Sequence, residues 1–199
     1  GERYVDIGCG FGGFMFRAWE TVGAVGTGLN TTTEQVDWLR AEIARRGLAD
    51  RLTVREADFR DVDTPYDKVV SIGTLEHAGR DQLAEVIRAH ADFLKPGGLG
   101  MLHFIGHVGR YDTELFIRKH VFPGGWIPSL ADVIVEMERC GLEVVDVENL
   151  RRHYAPTLDA WAAPSGYTHL WQIVFSKGNV TRENYPMSRA HLYTGDVGR

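Results

Sequence analysis

The sequence predicts an α/β fold built on a mostly parallel seven-stranded sheet with helices on both faces. Short apolar segments alternate with amphipathic helical segments along the first 105 residues, and this alternation favours parallel strands. A glycine-rich turn follows directly on the first apolar segment, at residues 4–7, as in folds that bind a nucleotide at the end of a strand. With 199 residues, of which 44% are hydrophobic, the chain can bury a sizeable core, and we expect one domain over residues 1–199.

Seven strand segments and four helical segments account for most of the chain. Runs of β-branched and other apolar residues mark the strands, which we expect at residues 4–7, 24–29, 52–56, 68–72, 99–105, 142–148 and 169–175. Apolar residues at helical spacing mark the helices, which we expect at residues 12–22, 33–46, 81–94 and 130–140.

Local signals set the ends of these helices. Thr33 precedes an acidic first turn and is expected to cap the second helix, which Gly47 ends. The sequence Lys95-Pro96-Gly97-Gly98 stops the third helix, because proline cannot continue it. A loop rich in glycine, proline and aromatic residues, at 122–128, then separates the fifth strand from the fourth helix.

Composition and charge narrow the classes of function. The net charge of −5 argues against nonspecific binding to nucleic acid, so no nucleic-acid partner is expected. Cys9 and Cys140 are the only cysteines and lie in no metal-ligand spacing, so we expect no metal site and a reduced, cytoplasmic compartment. No apolar run approaches the roughly 20 residues needed to span a bilayer. Since Gly1 stands almost at the first core strand, we expect that residues upstream of it are missing.

The glycine-rich turn is the most informative feature of the sequence. Gly8, Gly10 and Gly12 permit a tight turn, and N–H groups at the start of the next helix can face a ligand. The spacing departs from the dinucleotide pattern G-x-G-x-x-G, and no phosphate-binding Lys-Ser or Lys-Thr follows. With Asp6 before the first glycine, the pattern favours a Rossmann-like site for an adenosyl ligand without pyrophosphate, such as S-adenosylmethionine. An ordinary tight turn between strand and helix is the alternative.

Longer motifs follow the glycine turn in a fixed order. One of them, Leu94-Lys95-Pro96-Gly97-Gly98, is common to many class I methyltransferases. The more specific ones are Glu76-His77, Leu102-His103-Phe104-Ile105-Gly106, Phe122-Pro123-Gly124-Gly125 and Arg152-His153-Tyr154. Taken together, these motifs make the chain resemble the cyclopropane-fatty-acyl-phospholipid synthase family, which includes the mycolic acid cyclopropane synthases, over nearly its whole length.

The resemblance implies a reaction on lipid acyl chains. Enzymes of this family transfer the sulfonium methyl group of S-adenosylmethionine to a cis double bond of an unsaturated fatty acyl chain. The resulting carbocation loses a proton from the new methyl group to close a cyclopropane, or from a neighbouring carbon to give a branched chain. Water has to be excluded, because it would trap the cation as an alcohol. We expect a cyclopropane product, and a methyl- or methylene-branched chain is the alternative.

The resemblance also implies that a bound bicarbonate ion acts as the base. Glu76 is expected to relay the proton, and His103 and Tyr154 to donate hydrogen bonds to the anion. Cys9 and Ile105 are expected to donate through their backbone N–H groups. Ordinary packing is the alternative for Cys9, and a satisfied core position is the alternative for His103 and Tyr154. A carboxylate directly after a buried strand, as at Glu76, usually has a partner or a role.

The S-adenosylmethionine site is expected at the carboxyl ends of the first four strands. Gly8 and Gly10 should pass under the methionine moiety. The second strand ends without the acidic residue that usually binds the ribose, and the resemblance assigns this part of the site to Leu29, Thr31 and Gln35. It assigns the adenine contacts to residues after the third and fourth strands: Asp58, Phe59, Ile72 and Gly73.

The sequence departs from the family pattern in three places. The long helical segment that the family carries before its last strand is reduced to a short stretch near residues 162–168, and we expect this acyl-channel segment to be missing. The N-terminal segment that covers the cofactor in the family is also expected to be missing. Residues 30–33 and 107–111 differ from the commonest synthase sequences, which bears on the product more than on the chemistry.

Two functions of other classes compete with this interpretation. The chain could be a methyltransferase for a small molecule, or a non-catalytic module that binds a lipid or an adenosyl ligand. The five positions of the anion site argue against both. The expected partner is an unsaturated fatty acyl lipid, most simply a phospholipid. Such a substrate is compatible with peripheral contact at the inner membrane face, although no basic amphipathic helix supplies it. The sequence does not indicate an oligomeric state.

Overall fold

The computed structural model describes residues 2–62, 64–115, 117–153, 168–181 and 185. The strands found in these ranges are β1 (Arg3–Ile7), β2 (Val25–Asn30), β3 (Leu52–Glu56), β4 (Tyr66–Ile72), β5 (Leu94–His107), β6 (Leu142–Asn149) and β7 (Thr168–Lys177). The α-helices are α1 (Gly13–Val22), α2 (Thr33–Arg45), α3 (Leu83–Phe93) and α4 (Leu130–Arg139).

The strands form one sheet in the order β3-β2-β1-β4-β5-β7-β6. Strands β1 to β5 pair in parallel, and β7 is antiparallel to both of its neighbours. The predicted mostly parallel seven-stranded sheet is confirmed. The chain builds outward from β1 in one direction and then, from β4 onward, in the other, and such a switch point leaves a crevice at the carboxyl ends of the strands.

Helices cover both faces of the sheet, because successive residues of a strand point to opposite sides. Tyr4 of β1 packs in a cluster with Phe16 of α1 and Leu39 of α2. The next residue, Val5, belongs to a cluster on the other face that contains Ile87 of α3. Burying an aliphatic side chain such as Ile87 stabilises the fold by roughly 1.5–3 kcal/mol.

Several predicted element ends differ in the structure. The prediction that Thr33 caps the second helix is wrong: Thr32 is the N-cap residue, and the Thr33 hydroxyl instead donates to Glu56 Oε1 of β3 at 2.6 Å. The third helix starts later than predicted, because a 3₁₀ turn at Arg80–Gln82 precedes it. Strand β5 starts earlier than predicted, at Leu94, where an irregular register with β4 accommodates the Lys-Pro-Gly-Gly sequence.

Some expectations concern parts of the chain that the structure does not describe. The expected shortened segment at residues 162–168 lies outside the described residues, apart from Thr168 at the start of β7. Among the residues that are described, no helix has both the length and the apolar character required to cross a membrane.

Candidate active site

The crevice at the switch point holds a cavity of about 490 Å³, a size suited to a small-molecule ligand. The glycine turn and the segments that follow β2, β3 and β4 form its walls. Eight predicted cofactor residues line it, namely Gly8, Gly10, Leu29, Thr31, Gln35, Asp58, Phe59 and Gly73. The ninth, Ile72, is not among the lining residues, and its side chain is 40% exposed at the end of β4.

Gly10 lines the cavity with its main chain. Its φ of +54° lies in the left-handed region, where a residue with a side chain is strained. A Cβ atom at this position would meet no other atom within 4 Å, because it would point into open space, and Gly10 lines the cavity. The main chain can therefore approach a ligand closely here, as the sequence motif predicted.

Asn30 connects three walls of the cavity and was not identified from the sequence. Its Nδ2 donates to Gln35 Oε1 at 2.8 Å and to the Gly10 carbonyl at 3.3 Å, and its Oδ1 accepts from the Thr32 N–H at 3.1 Å. Asn30 thus holds Gln35 and the glycine turn in fixed relative positions. A polar residue at the end of β2, where many related folds have an acidic one, was the available signal.

Other lining residues were not assigned to the cofactor site from the sequence, although His77 belongs to the Glu76-His77 motif. They are Ile7, Thr32, Ala57, Thr74 and His77.

Asp58 presents an ionised carboxylate to the cavity. Its Oδ1 accepts from the Arg60 N–H at 2.9 Å and caps the 3₁₀ turn at Phe59–Asp61. The Arg60 guanidinium pairs with both carboxylate oxygens at 2.7 Å, and this hydrogen bonding holds the pKa of Asp58 below its usual range. Each oxygen retains lone-pair capacity for a donor on a ligand.

Glu76 lies between two cavity-lining residues, Thr74 and His77, in a 3₁₀ turn that follows β4. Its side chain is almost fully buried, with 1% exposure, and Oε1 accepts from the Ile105 N–H at 2.6 Å. Within the described part of the chain, Oε2 has no hydrogen-bond partner. Burial raises the pKa of Glu76. A buried acceptor left without a partner is costly, so this arrangement favours a ligand that donates to Oε2.

The backbone donors assigned to the anion site are used elsewhere in the structure. The Ile105 N–H donates to Glu76 Oε1 and therefore orients the carboxylate. The Cys9 N–H donates to the Leu29 carbonyl at 3.0 Å, because the glycine turn folds back on β2. Both N–H groups therefore have protein partners in this structure, and their contacts to bicarbonate stay predictions.

The Cys9 thiol faces the protein interior. It lies beside Gly28 and Met15, and burial, reinforced by the charge of Asp6, raises the pKa of Cys9 to about 12. The side chain is therefore a neutral thiol near neutral pH, and its surroundings match the packing alternative.

His103 lies on β5 between the neighbouring strands β4 and β7. It pairs in register with Ile72 of β4 and with Gln172 of β7. Burial lowers the pKa of His103, so a neutral imidazole is favoured. Two residues apart on one strand, His103 and Ile105 share a face of the sheet. Tyr154, the remaining predicted position, lies outside the described residues.

Asp6 is a second buried carboxyl group and lies in β1, two residues before Gly8. It is 2% exposed, and burial raises the pKa of Asp6 to about 7. The neutral acid is therefore favoured in the folded protein, so its contribution to stability is complete below pH ~4, near the unfolded pKa, and is lost as the pH rises through 7.

This shift predicts the pH dependence of an Asp6→Asn variant, in which the amide imitates the neutral acid. Between pH 4 and 7.5 the free energy of unfolding of the wild type should fall relative to the variant by roughly 4 kcal/mol, at about 1.36 kcal/mol for each unit of pKa difference. Urea unfolding of both proteins at several pH values measures this. If the free energy of unfolding changed with pH in the same way in both proteins, the raised pKa of Asp6 would be contradicted.

No cluster of three or more His, Cys, Asp or Glu side chains suited to a metal ion occurs among the residues described.

The polar groups at the candidate site are the glycine turn, Asn30 with Gln35, the Asp58 carboxylate and, next to the lining residues Thr74 and His77, the Glu76–Ile105 pair.

Comparison with known proteins agrees with the resemblance seen in the motifs. The model of the mycolic acid cyclopropane synthetase family matches residues 1–186. A probable fatty acid methyltransferase of Pseudomonas putida is 38% identical over 171 residues, which cover 81% of this chain and 43% of that protein. Cyclopropane mycolic acid synthase 3 of Mycobacterium tuberculosis is 31% identical over 177 residues, covering 81% of this chain and 61% of that protein.

A solved structure supports the same relationship. The crystal structure of mycolic acid cyclopropane synthase CmaA1 complexed with SAH and CTAB superimposes with a TM-score of 0.77 and 25% identity, over 89% of this chain and 78% of that one. The chain spans about two fifths to three fifths of the length of the two curated relatives. Since the family model covers nearly the whole chain and the fold agrees, the chain belongs to the mycolic acid cyclopropane synthetase family and has the class I methyltransferase fold.

Proposed function

We propose that this chain transfers a methyl group from S-adenosylmethionine to the cis double bond of an unsaturated fatty acyl chain, most simply of a phospholipid. Deprotonation with the help of bicarbonate gives a cyclopropane fatty acid. One observation carries the proposal. The buried Glu76 carboxylate has one oxygen held by Ile105 and the other without a partner among the described residues, and it lies between two residues that line the cavity.

The residues around the cavity fit S-adenosylmethionine, which supplies an electrophilic methyl group. Gly10 lets the main chain approach a ligand closely, as required under a methionine moiety. Gln35, oriented by Asn30, can bind ribose hydroxyls, and the Asp58 carboxylate can accept from an amino group on adenine. Phe59 lines the same region and offers an aromatic surface to the adenine ring.

The environment of Glu76 fits bicarbonate, which supplies a basic oxygen and one hydroxyl donor. Glu76 Oε2 is an acceptor in need of a donor, and the bond from Ile105 fixes its direction. Because burial raises the pKa of Glu76, its carboxyl group can hold a proton closer to neutral pH than an exposed glutamate does, as a proton relay requires. His103 can supply an N–H donor as a neutral imidazole.

An apolar region beside Glu76 suits an acyl chain. Ile105, Ile127 and Leu170 form a buried cluster against which Phe122 and Ile117 pack. An apolar surrounding keeps water from a carbocation, and an aromatic face such as that of Phe122 stabilises positive charge.

The segment between β5 and α4 supports peripheral contact with a lipid surface. Val108, Tyr111 and Leu115 are each more than half exposed, and the exposed cations Arg118 and Lys119 follow them in the chain. Apolar side chains next to cations suit the headgroup region of an anionic membrane. This location fits a cytoplasmic protein that works at the inner face of the membrane.

The proposal predicts the fate of a deuterated methyl group. The protein is incubated with methyl-trideuterated S-adenosylmethionine, bicarbonate and vesicles of a cis-monounsaturated phospholipid, and the acyl chains are analysed by mass spectrometry. Ring closure removes one deuterium from the transferred group, so we expect a gain of one CD2 unit in a product that resists mild hydrogenation. Turnover should fall in carbonate-free buffer and return when bicarbonate is added.

Other outcomes of this experiment favour the alternatives. Retention of all three deuterium atoms, or a product that takes up hydrogen as an alkene, would replace the cyclopropane by a branched chain. Cofactor binding without any label in lipid would instead favour a small-molecule methyltransferase or a non-catalytic binding module.

A further inference from the structure

The position of the Glu76 carboxylate depends on the position of its own main chain. The residue lies in a short 3₁₀ turn, Leu75–His77, and one hydrogen bond from Ile105 directs its side chain. Within the described ranges, the main-chain bonds of the turn are local ones, from the His77 N–H to the Thr74 carbonyl and from the Ala78 N–H to the Leu75 carbonyl, each at 3.1 Å. An element this short needs support from its neighbours to stay in place.

Such support comes from residues 122–125, which we call the brace turn. It is closed by a hydrogen bond of 2.9 Å from the Gly125 N–H to the Phe122 carbonyl, and the Phe122 N–H donates to the Ile117 carbonyl at 2.8 Å. Just beyond the turn, the Ile127 N–H donates to the buried Thr113 hydroxyl at 2.8 Å. Hydrogen bonds on both sides therefore keep the brace turn from moving freely.

The brace turn lies directly against the main chain of Glu76. A Cβ atom on Gly125 would overlap the Glu76 carbonyl oxygen and would lie 3.2 Å from its carbonyl carbon and 2.9 Å from Phe122 Cβ. The Phe122 ring also meets the His77 ring edge to face, with a centroid distance of 5.1 Å. Gly125 has no left-handed φ, so glycine is required here for space and not for backbone conformation.

We propose that Gly125 is a positioning residue for Glu76: its missing side chain lets the brace turn press on the Glu76 carbonyl and so holds the carboxylate against the Ile105 N–H. The inference rests on the proposed role of Glu76 in proton transfer. An added methyl group has to displace either the brace turn or Glu76. The 2.6 Å bond between Ile105 and Glu76 has little room for a shift, and a misplacement of about 1 Å can cost ~100-fold in rate.

The test is a Gly125→Ala variant with three measurements. We expect kcat to fall at least ~10-fold, because the acid–base group is displaced. The affinity for S-adenosylhomocysteine, measured by calorimetry, should stay within about twofold of wild type, because Gly125 and Glu76 do not line the described cavity. The pKa of Glu76, measured from carboxyl infrared bands assigned with Glu76→Gln, should rise, because the Ile105 N–H stabilises the carboxylate.

Gly98→Ala is the matched control. A Cβ atom there would lie 2.9 Å from the carbonyl oxygens of Asp67 and Lys95, so the change also strains the main chain but does so at the opposite end of β5 from Ile105. It should lower the melting temperature while leaving kcat and the Glu76 pKa as in wild type.

An unchanged kcat and an unchanged Glu76 pKa in Gly125→Ala would overturn the inference, as would equal losses of kcat in both alanine variants. If Gly125→Ala does not fold, Phe122→Leu decides in its place, since it loosens the brace turn at His77 without a main-chain clash. In that variant a raised Glu76 pKa supports the inference, and an unchanged one overturns it. The infrared titration of Glu76 does not require turnover. If the wild-type protein transfers no label to lipid, that result contradicts the proposed function, whereas the position of Glu76 is still tested by its pKa.

Discussion

Replacing Glu76 by glutamine is expected to lower the methyl-transfer rate by ~10²–10⁴-fold, the usual contribution of a positioned acid–base group. The amide oxygen can still accept from the Ile105 N–H, so the side chain should keep its place. The other terminal atom, however, changes from an acceptor to a donor and can no longer relay a proton. Turnover on lipid vesicles with labelled cofactor measures the loss, and calorimetry with S-adenosylhomocysteine should show an affinity close to wild type.

A matched control separates this effect from a general effect of charge. Glu56→Gln removes an exposed carboxylate at the end of β3, where its partner is the Thr33 hydroxyl. We expect that variant to retain its turnover. A Glu76→Gln protein that turns over at nearly the wild-type rate would eliminate Glu76 as the proton-relaying group.

The variant Gly10→Val is expected to abolish cofactor binding. Gly10 lines the cavity and no atom lies within 4 Å of a Cβ placed there, so we expect a branched side chain to occupy space that the ligand needs. The φ of +54° adds backbone strain of about 1–3 kcal/mol for a non-glycine residue. Calorimetric titration with S-adenosylhomocysteine should show no detectable heat of binding, and turnover should be lost with it.

The variant Gly47→Val is the matched control: it introduces the same backbone strain but places no side chain in the cavity. Gly47 has a comparable φ of +67° and equally open surroundings, but it follows the end of α2 and does not line the cavity. The two variants should lose similar amounts of stability in urea unfolding, and only Gly10→Val should lose the ligand. Equal, undiminished affinity in both would show that the ligand does not pass over Gly10.

The strands and helices were predictable wherever local residue patterns decide the structure. Strand β1 and the glycine turn were placed to within a residue, because a buried apolar segment and three glycines allow few other conformations. The cap of α2 was misassigned for a reason that lies outside the local sequence. Thr33 finds a carboxylate partner in Glu56, 23 residues further along the chain, and the strand pairing of β2 with β3 brings the two together.

The candidate site also contains residues that the sequence could predict and residues that only tertiary contacts reveal. The sequence by itself determined the cavity-lining character of Gly8, Gly10 and Asp58, because each follows the carboxyl end of a predicted strand and such ends meet at one edge of a parallel sheet. Asn30 was missed because its role depends on its hydrogen bonds to Gln35 and to the Gly10 carbonyl, and the bond to Gly10, 20 residues away in the chain, forms only when β2 lies beside the glycine turn.

Only the tertiary structure decided which donors and acceptors at the site are already occupied. A backbone N–H has a single proton to donate, and its partner is chosen by the strands and turns packed around it. For that reason the Cys9 N–H bonds to Leu29 and the Ile105 N–H bonds to Glu76. The same packing leaves one buried Glu76 oxygen open to a ligand and sets Gly125 against the Glu76 main chain, two features that depend on contacts between residues 29 to 49 positions apart.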